Sequence, residues 1–259
     1  MAVLTGYANE RTDVLLSDGW TIRPISDPTP GKEGTAVTLP HTWNASYVKG
    51  TYYNRETMVY SRTLNVSESM FRNNRLFLRF EGVNSVADVF VNRKTVGQHK
   101  GGYTAFCMEI TDYVREGDND LEVWVSNAFR TDVLPISGDF NVYGGIHRPV
   151  HLLMTAKDCI SPTDYASQGV YVHQENVSRQ EAELRIETVL SLTTGTEAKQ
   201  LRLTMTDASG KAVAQRTDAV SGGVMWQSLL LKAPTLWQGR KNPYLLSYKG
   251  GATRRRRGN

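Results

Sequence analysis

What this chain lacks narrows its possible roles. No run of apolar residues approaches the ~20 that a membrane-spanning helix needs, so no membrane partner is expected. The N-terminus lacks the charged-then-apolar pattern of a signal peptide. A mature secreted form would lack it too, so the compartment (periplasmic, secreted or cytoplasmic) stays open. There are only two cysteines in 259 residues, Cys107 and Cys159, and neither sits in a metal-type cluster. They read as two buried thiols, with one disulfide as the alternative. There is no Gly-x-Ser-x-Gly elbow, no phosphate loop and no Cys-x-x-Cys pair. No cofactor and no metal are therefore expected. His147 and His151 are four apart, a metal-binding spacing on a helix, but Pro149 between them removes the helix. The net charge of +4 comes from one run, Arg254 to Arg257, and the rest is near neutral. Nothing argues for a nucleic-acid surface.

What is present is alternation of period two. Leu76, Leu78 and Phe80 interleave with Arg75, Phe77 and Arg79. Leu121, Val123 and Val125 do the same, as do Leu201, Leu203 and Met205. Such runs predict strands with one buried face. Turn residues separate them: Asn92-Arg93-Lys94, Glu116-Gly117-Asp118-Asn119 and Asp207-Ala208-Ser209-Gly210. A short helical turn is predicted near Ile110 to Val114, with Thr111 as its cap. Twelve Tyr and five Trp suit both sandwich cores and sugar-stacking surfaces. The length suits two domains, and Ala156 to Thr163 reads as the linker. Asn44, Asn65 and Asn176 each open an Asn-x-Ser sequon, which matters only in a glycosylating pathway.

Several segments then occur in a telling order. Leu39-Pro40-His41-Thr42-Trp43-Asn44 resembles an "LPHDWN" element, and Tyr60-Ser61-Arg62-Thr63-Leu64 resembles a "YRRTF" strand. Gly82 to Asn92 resembles "GVDSVADVYVNG", and Gly101 to Phe106 resembles "GGYTPF". Ala233-Pro234-Thr235-Leu236-Trp237 and Asn242-Pro243-Tyr244-Leu245 resemble a later "P-x-LW…P-x-LY" signature. Together they resemble the N-terminal part of glycoside hydrolase family 2, the β-galactosidase and β-glucuronidase family. The resemblance implies an all-β chain. It implies a jelly-roll sugar-binding sandwich over 12–156 and a truncated immunoglobulin-like sandwich over 164–249, while Gly-Gly followed by four Arg reads as a basic disordered tail over 250–259. Trp237 and Tyr244 are expected to fill the second core.

The resemblance also implies that the chemistry lies elsewhere. Family 2 catalysis uses two Glu residues on a (β/α)8 barrel, which needs ~250 further residues. A retaining glycosidase needs two carboxyl groups ~5–5.5 Å apart. Glu81, Asp88, Glu109, Asp112, Glu122 and Asp139 are available, but no pair is singled out. No catalytic residue is assigned, and the chain is expected to be inactive alone. Its expected partners are a carbohydrate, a β-galactoside or related glycoside, and the catalytic barrel; self-association is also expected. The alternatives are a stand-alone carbohydrate-binding protein and a structural docking module. Two sugar contacts are implied. Asp139 matches the Asp of the family's "D-x-W-x-x-x-G-I-x-R" loop, which runs here from Asn127 to Gly145. Asn54 falls where β-galactosidases place a second polar contact. Arg148 is read as an anchor of that loop.

Overall fold

The computed structural model describes residues 11–26, 34–45, 53–72, 74–136, 138, 140–193, 195–196 and 199–254. It divides into two compact units, one of Thr12–Met154 and one from Thr155 onward. Both are built from antiparallel sheets, as the alternation predicts.

Among the described residues the strands of the first unit are β1 (Thr12–Leu15), β2 (Trp20–Pro24), β3 (Thr35–Val37), β4 (Thr57–Val66), β5 (Asn74–Phe80), β6 (Val86–Val91), β7 (Lys94–Lys100), β8 (Phe106–Glu109), β9 (Gly117–Ser126) and β10 (Val150–Ala156). They form a four-stranded sheet, β1-β10-β5-β8, and a six-stranded sheet, β3-β2-β4-β9-β6-β7. The two sheets enclose one core. Leu76, Leu78 and Phe80 of β5 meet Tyr60 of β4, Val89 of β6 and Leu121, Val123 and Val125 of β9. Each such side chain contributes about 1.5–3 kcal/mol by leaving water. Phe80 and Phe106 stack with ring centroids 4.7 Å apart. Trp20 is almost fully buried and donates Nε1–H to the Leu16 carbonyl at 2.8 Å.

Turn chemistry sets the register. Asn92 and Arg93 both take positive φ, 50° and 64°, between β6 and β7. That is the two-residue turn whose twist suits a hairpin. The buried Asn119 accepts from Asn92 Nδ2 at 2.7 Å and from the Arg115 N–H at 2.8 Å. The predicted helical turn at Ile110–Val114 is a hydrogen-bonded turn, Tyr113 N–H to Ile110 carbonyl at 3.0 Å. Thr111 does not cap it. Its hydroxyl accepts the Leu76 N–H and donates to Glu109. The short helix lies instead at Glu68–Arg72 (α1), where Glu68 and Arg72 pair across one turn.

The second unit contains β11 (Cys159–Ile160), β12 (Val170–Glu175), β13 (Glu181–Ser191), β14 (Lys199–Thr206), β15 (Ala212–Ala219), β16 (Val224–Lys232) and β17 (Ser247–Arg254). Strand β13 carries β11 and β12, and also pairs β16; the second sheet runs β15-β14-β17. Leu184, Ile186, Leu201, Leu203, Leu229 and Tyr248 fill the space between them. Lys199 is buried and paired with Asp158 at 2.9 Å.

Several expectations need correction. Residues 250–254 belong to β17, pairing Gly250 with Leu203 and Arg254 with Lys199. The tail therefore does not begin at 250. Backbone pairing needs no apolar side chain, so the Gly-Gly step continues the strand. Residues 255–259 lie outside the described residues. The expected linker holds β11, which joins β13 through Cys159 and Ile160. Both cysteines are half-buried rather than buried. Trp237 does not fill the core: it is 66% exposed. It lies on an irregular segment whose only regular turn among the described residues is the 3-10 turn Gly239–Lys241. Tyr244 is half-buried.

The two tryptophans give a direct check. Trp20→Ala is expected to cost about 3–5 kcal/mol. Trp237→Ala is expected to stay within about 0.5 kcal/mol of the parent. Urea denaturation of each variant measures both. Equal losses would place Trp237 in a core.

Candidate functional site

The site is built where three loops meet at one end of the first sandwich. They are the segment after β3, the segment before β4 and the run between β9 and β10. Polar backbone in such loops needs partners once buried, and asparagine supplies them. Asn44 is fully buried. Its Nδ2 donates to the Val142 carbonyl at 3.0 Å, to Asn141 Oδ1 at 2.9 Å and to the Asn54 carbonyl at 3.3 Å. Its Oδ1 accepts the Gly144 N–H at 2.8 Å. Asn141 returns a bond to the Asn44 carbonyl at 3.0 Å. Asn127, also fully buried, donates to the same Val142 carbonyl at 2.8 Å and to the Asn54 carbonyl at 2.9 Å. Its Oδ1 accepts the Glu56 N–H at 2.9 Å. Two side-chain amides thus tie residues 54–56 to residues 141–144.

A second set of contacts seats the far end of the loop. Asn84 Nδ2 donates to the Tyr143 carbonyl at 2.6 Å. The Asn84 and Gly145 backbones bridge each other. His41 N–H reaches the Ile146 carbonyl at 2.8 Å. Gly144 and Gly145 are required here. A Cβ on Gly144 would stand 2.0 Å from the Trp43 ring. One on Gly145, at φ +144°, would stand 2.3 Å from the His41 carbonyl. Arg148 Nη1 donates to the Tyr103 carbonyl at 3.1 Å and reaches that of Glu81 at 3.5 Å. It anchors the loop through carbonyls.

Three side chains beside the loop favour their neutral forms. His41 Nδ1 and the Tyr60 hydroxyl are 2.8 Å apart. Burial pushes the His41 pKa down and the Tyr60 pKa well up, the latter opposed by a bond to the Ile146 backbone. Burial also lowers the pKa of His147, and the Arg148 charge adds to it. His147 and His151 do not form a metal pair. His147 lies in the loop beside Tyr103, with ring centroids 5.8 Å apart. His151 lies on β10 with Nδ1 2.6 Å from Asp13. Among the described residues no group of three or more His, Cys, Asp or Glu is placed to hold a metal.

The carboxylates raised by the sequence are mostly engaged elsewhere. Glu109 takes two bonds from Arg75, at 2.9 and 2.7 Å. Glu81 meets Arg79 at 3.2 Å, Asp88 accepts from Gln98, and Glu122 accepts from Trp124. Asp112 is exposed in its turn. Asp139 lies outside the described residues. Asn54 is described: its side chain is exposed, while its carbonyl is held by Asn44 and Asn127. The fold thus brings Asn54 to the stretch that begins just after Asp139.

Asn44, Asn127 and Asn141 were not legible as organisers. Asn44 read as a sequon, yet its amide is buried and fully used. The available signal was a set of asparagines beyond strand ends, without the Gly that marks an ordinary turn.

This arrangement sits within a known domain. Residues 20–156 match the model described as "Glycosyl hydrolases family 2, sugar binding domain". The chain belongs to this family. A β-glucuronidase from Bacteroides fragilis is 42% identical over 244 residues, covering 91% of this chain and 34% of the relative. A β-galactosidase from Thermoanaerobacter pseudethanolicus is 33% identical over 162 residues, covering 60% of this chain and 21% of the relative. Among solved structures, an FMN-binding β-glucuronidase from Facaelibacterium prausnitzii L2-6 superposes with a TM-score of 0.82 at 28% identity, covering 94% of this chain and 37% of that one. This family 2 chain spans about a third of the length of the curated β-glucuronidase it matches.

The asparagine clamp can be tested directly. Asn44→Ala orphans several buried partners and is expected to cost about 2–4 kcal/mol. Asn65→Ala removes an exposed bond to Asp118 and is expected to stay within about 0.5 kcal/mol. Chemical denaturation measures both. Limited proteolysis should also cut Asn44→Ala faster between residues 128 and 143.

Proposed function

We propose that this chain is the sugar-binding, non-catalytic portion of a family 2 glycosidase, and that its rim loop completes a sugar site whose catalytic groups lie on a barrel. One observation carries the reading. The asparagine clamp joins segment 54–56 to residues 141–144, while large apolar side chains beside it stay uncovered. Phe129 is 62% exposed, Leu134 74% and Phe140 49%. Exposed apolar groups in such number suit a surface that another domain covers. The barrel is that domain in this reading. Asp139 and Asn54 would then meet the sugar, Asp139 as an ionised acceptor of hydroxyl bonds. In architectural terms the first unit is a jelly-roll domain and the second an immunoglobulin-like sandwich.

The glycoside in this reading is a β-glucuronide. The name of the 42%-identical relative supports that choice. A β-galactoside is the second reading, supported by the name of the Thermoanaerobacter relative.

The chain alone is expected to hydrolyse neither nitrophenyl β-glucuronide nor nitrophenyl β-galactoside, because among the described residues no carboxylate pair is singled out as acid and nucleophile. At an open rim each hydroxyl bond nets only ~0.5–1.5 kcal/mol, or ~1.5–3 to a charged group. Immobilising a ligand costs at least ~4 kcal/mol. Calorimetric titration with glucuronic acid or galactose should therefore give a Kd of ~1 mM or weaker. Turnover abolished by mutating a carboxylate of this chain would refute the reading. Micromolar binding lost in Asp139→Ala would favour a stand-alone carbohydrate-binding protein.

Self-association belongs to the same proposal. Strand β17 ends its sheet, and its outer edge is unpaired among the described residues. Such an edge accepts a strand from another chain. Light scattering should show mass rising with concentration; a clean monomer at high concentration contradicts it.

A further inference from the structure

The outer face of the six-stranded sheet carries a cleft remote in sequence from the rim loop. Registers place Thr21 opposite Ser61, Ser61 opposite Glu122, and Glu122 opposite Phe90. These four residues form one row across β2, β4, β9 and β6. Their chain neighbours Ile22, Tyr60, Leu121, Val123, Val89 and Val91 belong to the core. Alternation therefore turns the row outward. Three inter-strand spacings make it about 14 Å long. A cleft of about 340 Å³ runs along it, within the size range of ligand sites.

The lining mixes functions in a specific way. Phe90 supplies an aromatic wall and is braced by Trp124, with ring centroids 4.7 Å apart. Glu122 supplies an acceptor that is already oriented, since Trp124 Nε1 donates to its Oε2 at 3.1 Å. Thr21, Ser61 and Thr63 add hydroxyls that both donate and accept. Arg62 alternates with Ser61 and so turns its side chain toward the core face. Its guanidinium lies 5.5 Å from the Trp20 ring, and its Nη1 is buried without a partner. Arg93 completes the cleft.

The charges decide the ligand class. Arg93 and Asp120 line the cleft with opposite charges, and Glu122 is paired with Arg23 at 3.9 Å. An anionic ligand would meet two carboxylates, and a cationic ligand the guanidinium groups of Arg93 and Arg23. A neutral ligand rich in hydroxyls uses both signs of charge, because hydroxyls donate to carboxylates and accept from arginines. An apolar ring face suits Phe90. The length of the row suits a short chain of sugar rings better than a single ring.

We infer that this cleft is a second carbohydrate site, which takes a neutral oligosaccharide along the row from Thr21 to Phe90. It would hold a glycan chain at a surface that contains no rim residue. The ligand class agrees with the proposed function, but the site depends only on the sheet face.

The test titrates the intact chain with lactose, cellotetraose, xylotetraose and mannotetraose, with digalacturonate as the charged comparison. Calorimetry reads binding at millimolar sugar. Ser61→Trp fills the cleft, Glu122→Gln removes its acceptor charge, and Asn54→Ala alters only the rim. Circular dichroism and thermal melting confirm that each variant is folded. Saturable binding of a neutral tetrasaccharide is expected. It should weaken about tenfold or more in Ser61→Trp and Glu122→Gln, as loss of a charged hydrogen-bond partner predicts. It should be unchanged in Asn54→Ala. Absence of binding by every neutral sugar would overturn the inference, as would preference for digalacturonate. Binding lost only in Asn54→Ala would also overturn it, while supporting the rim as the sugar site. A rim that fails its own test would leave a cleft-dependent signal intact, so the two proposals fail separately.

Discussion

The first unit depends on how buried loop backbone finds hydrogen-bond partners. A sandwich end must carry chain between strands, and that chain brings N–H and C=O groups with no ladder to join. Here Asn44 and Asn127 act in place of a ladder. Both donate to the Val142 carbonyl and both hold the Asn54 carbonyl. An asparagine amide offers two donors and an acceptor on a short stem. Few other side chains could serve several loop groups from inside so small a space. The result is a loop held by specific bonds instead of by a hydrophobic plug. Its apolar side chains are left free to face outward.

That division of labour explains the contrast between the sheets and their end. The sheets are held by non-directional burial, from Leu76 to Val125. The end is held by directional bonds that fix positions to within hydrogen-bond tolerance. Sites that bind polar ligands need the second kind of support. The outer-face cleft obtains similar support differently. Its groups stand on paired strands, and Trp124 braces both Phe90 and Glu122. A rim built from loops and a cleft built on a sheet are two ways to present polar groups from one sandwich.

The second unit shows where local pattern misleads. Trp237 follows Pro234 in a motif that suggests core packing. The chain instead leaves the sheet after β16, with Ala233 at a positive φ of 47°. It returns only at β17, so Trp237 never lies between the sheets. Conversely, Gly250 and Gly251 look like the start of a tail but pair with Leu203 and Arg202. A strand edge asks for backbone groups, and glycine has them.

The sequence by itself determined the central strands and which face of each is buried. Alternation in β5, β9 and β14 was enough, because successive side chains must point to opposite faces. It also determined the β6–β7 turn and the family, through ordered motifs such as Leu39 to Asn44 and Gly82 to Asn92. Only the tertiary structure decided which strands are neighbours and which loops meet. Asn44 and Asn141 are 97 residues apart, and no local rule couples them. Thr21, Ser61, Glu122 and Phe90 form a row only because β2, β4, β9 and β6 stand side by side in that register. Period and propensity are short-range properties, whereas a site made by several segments is set by long-range pairing.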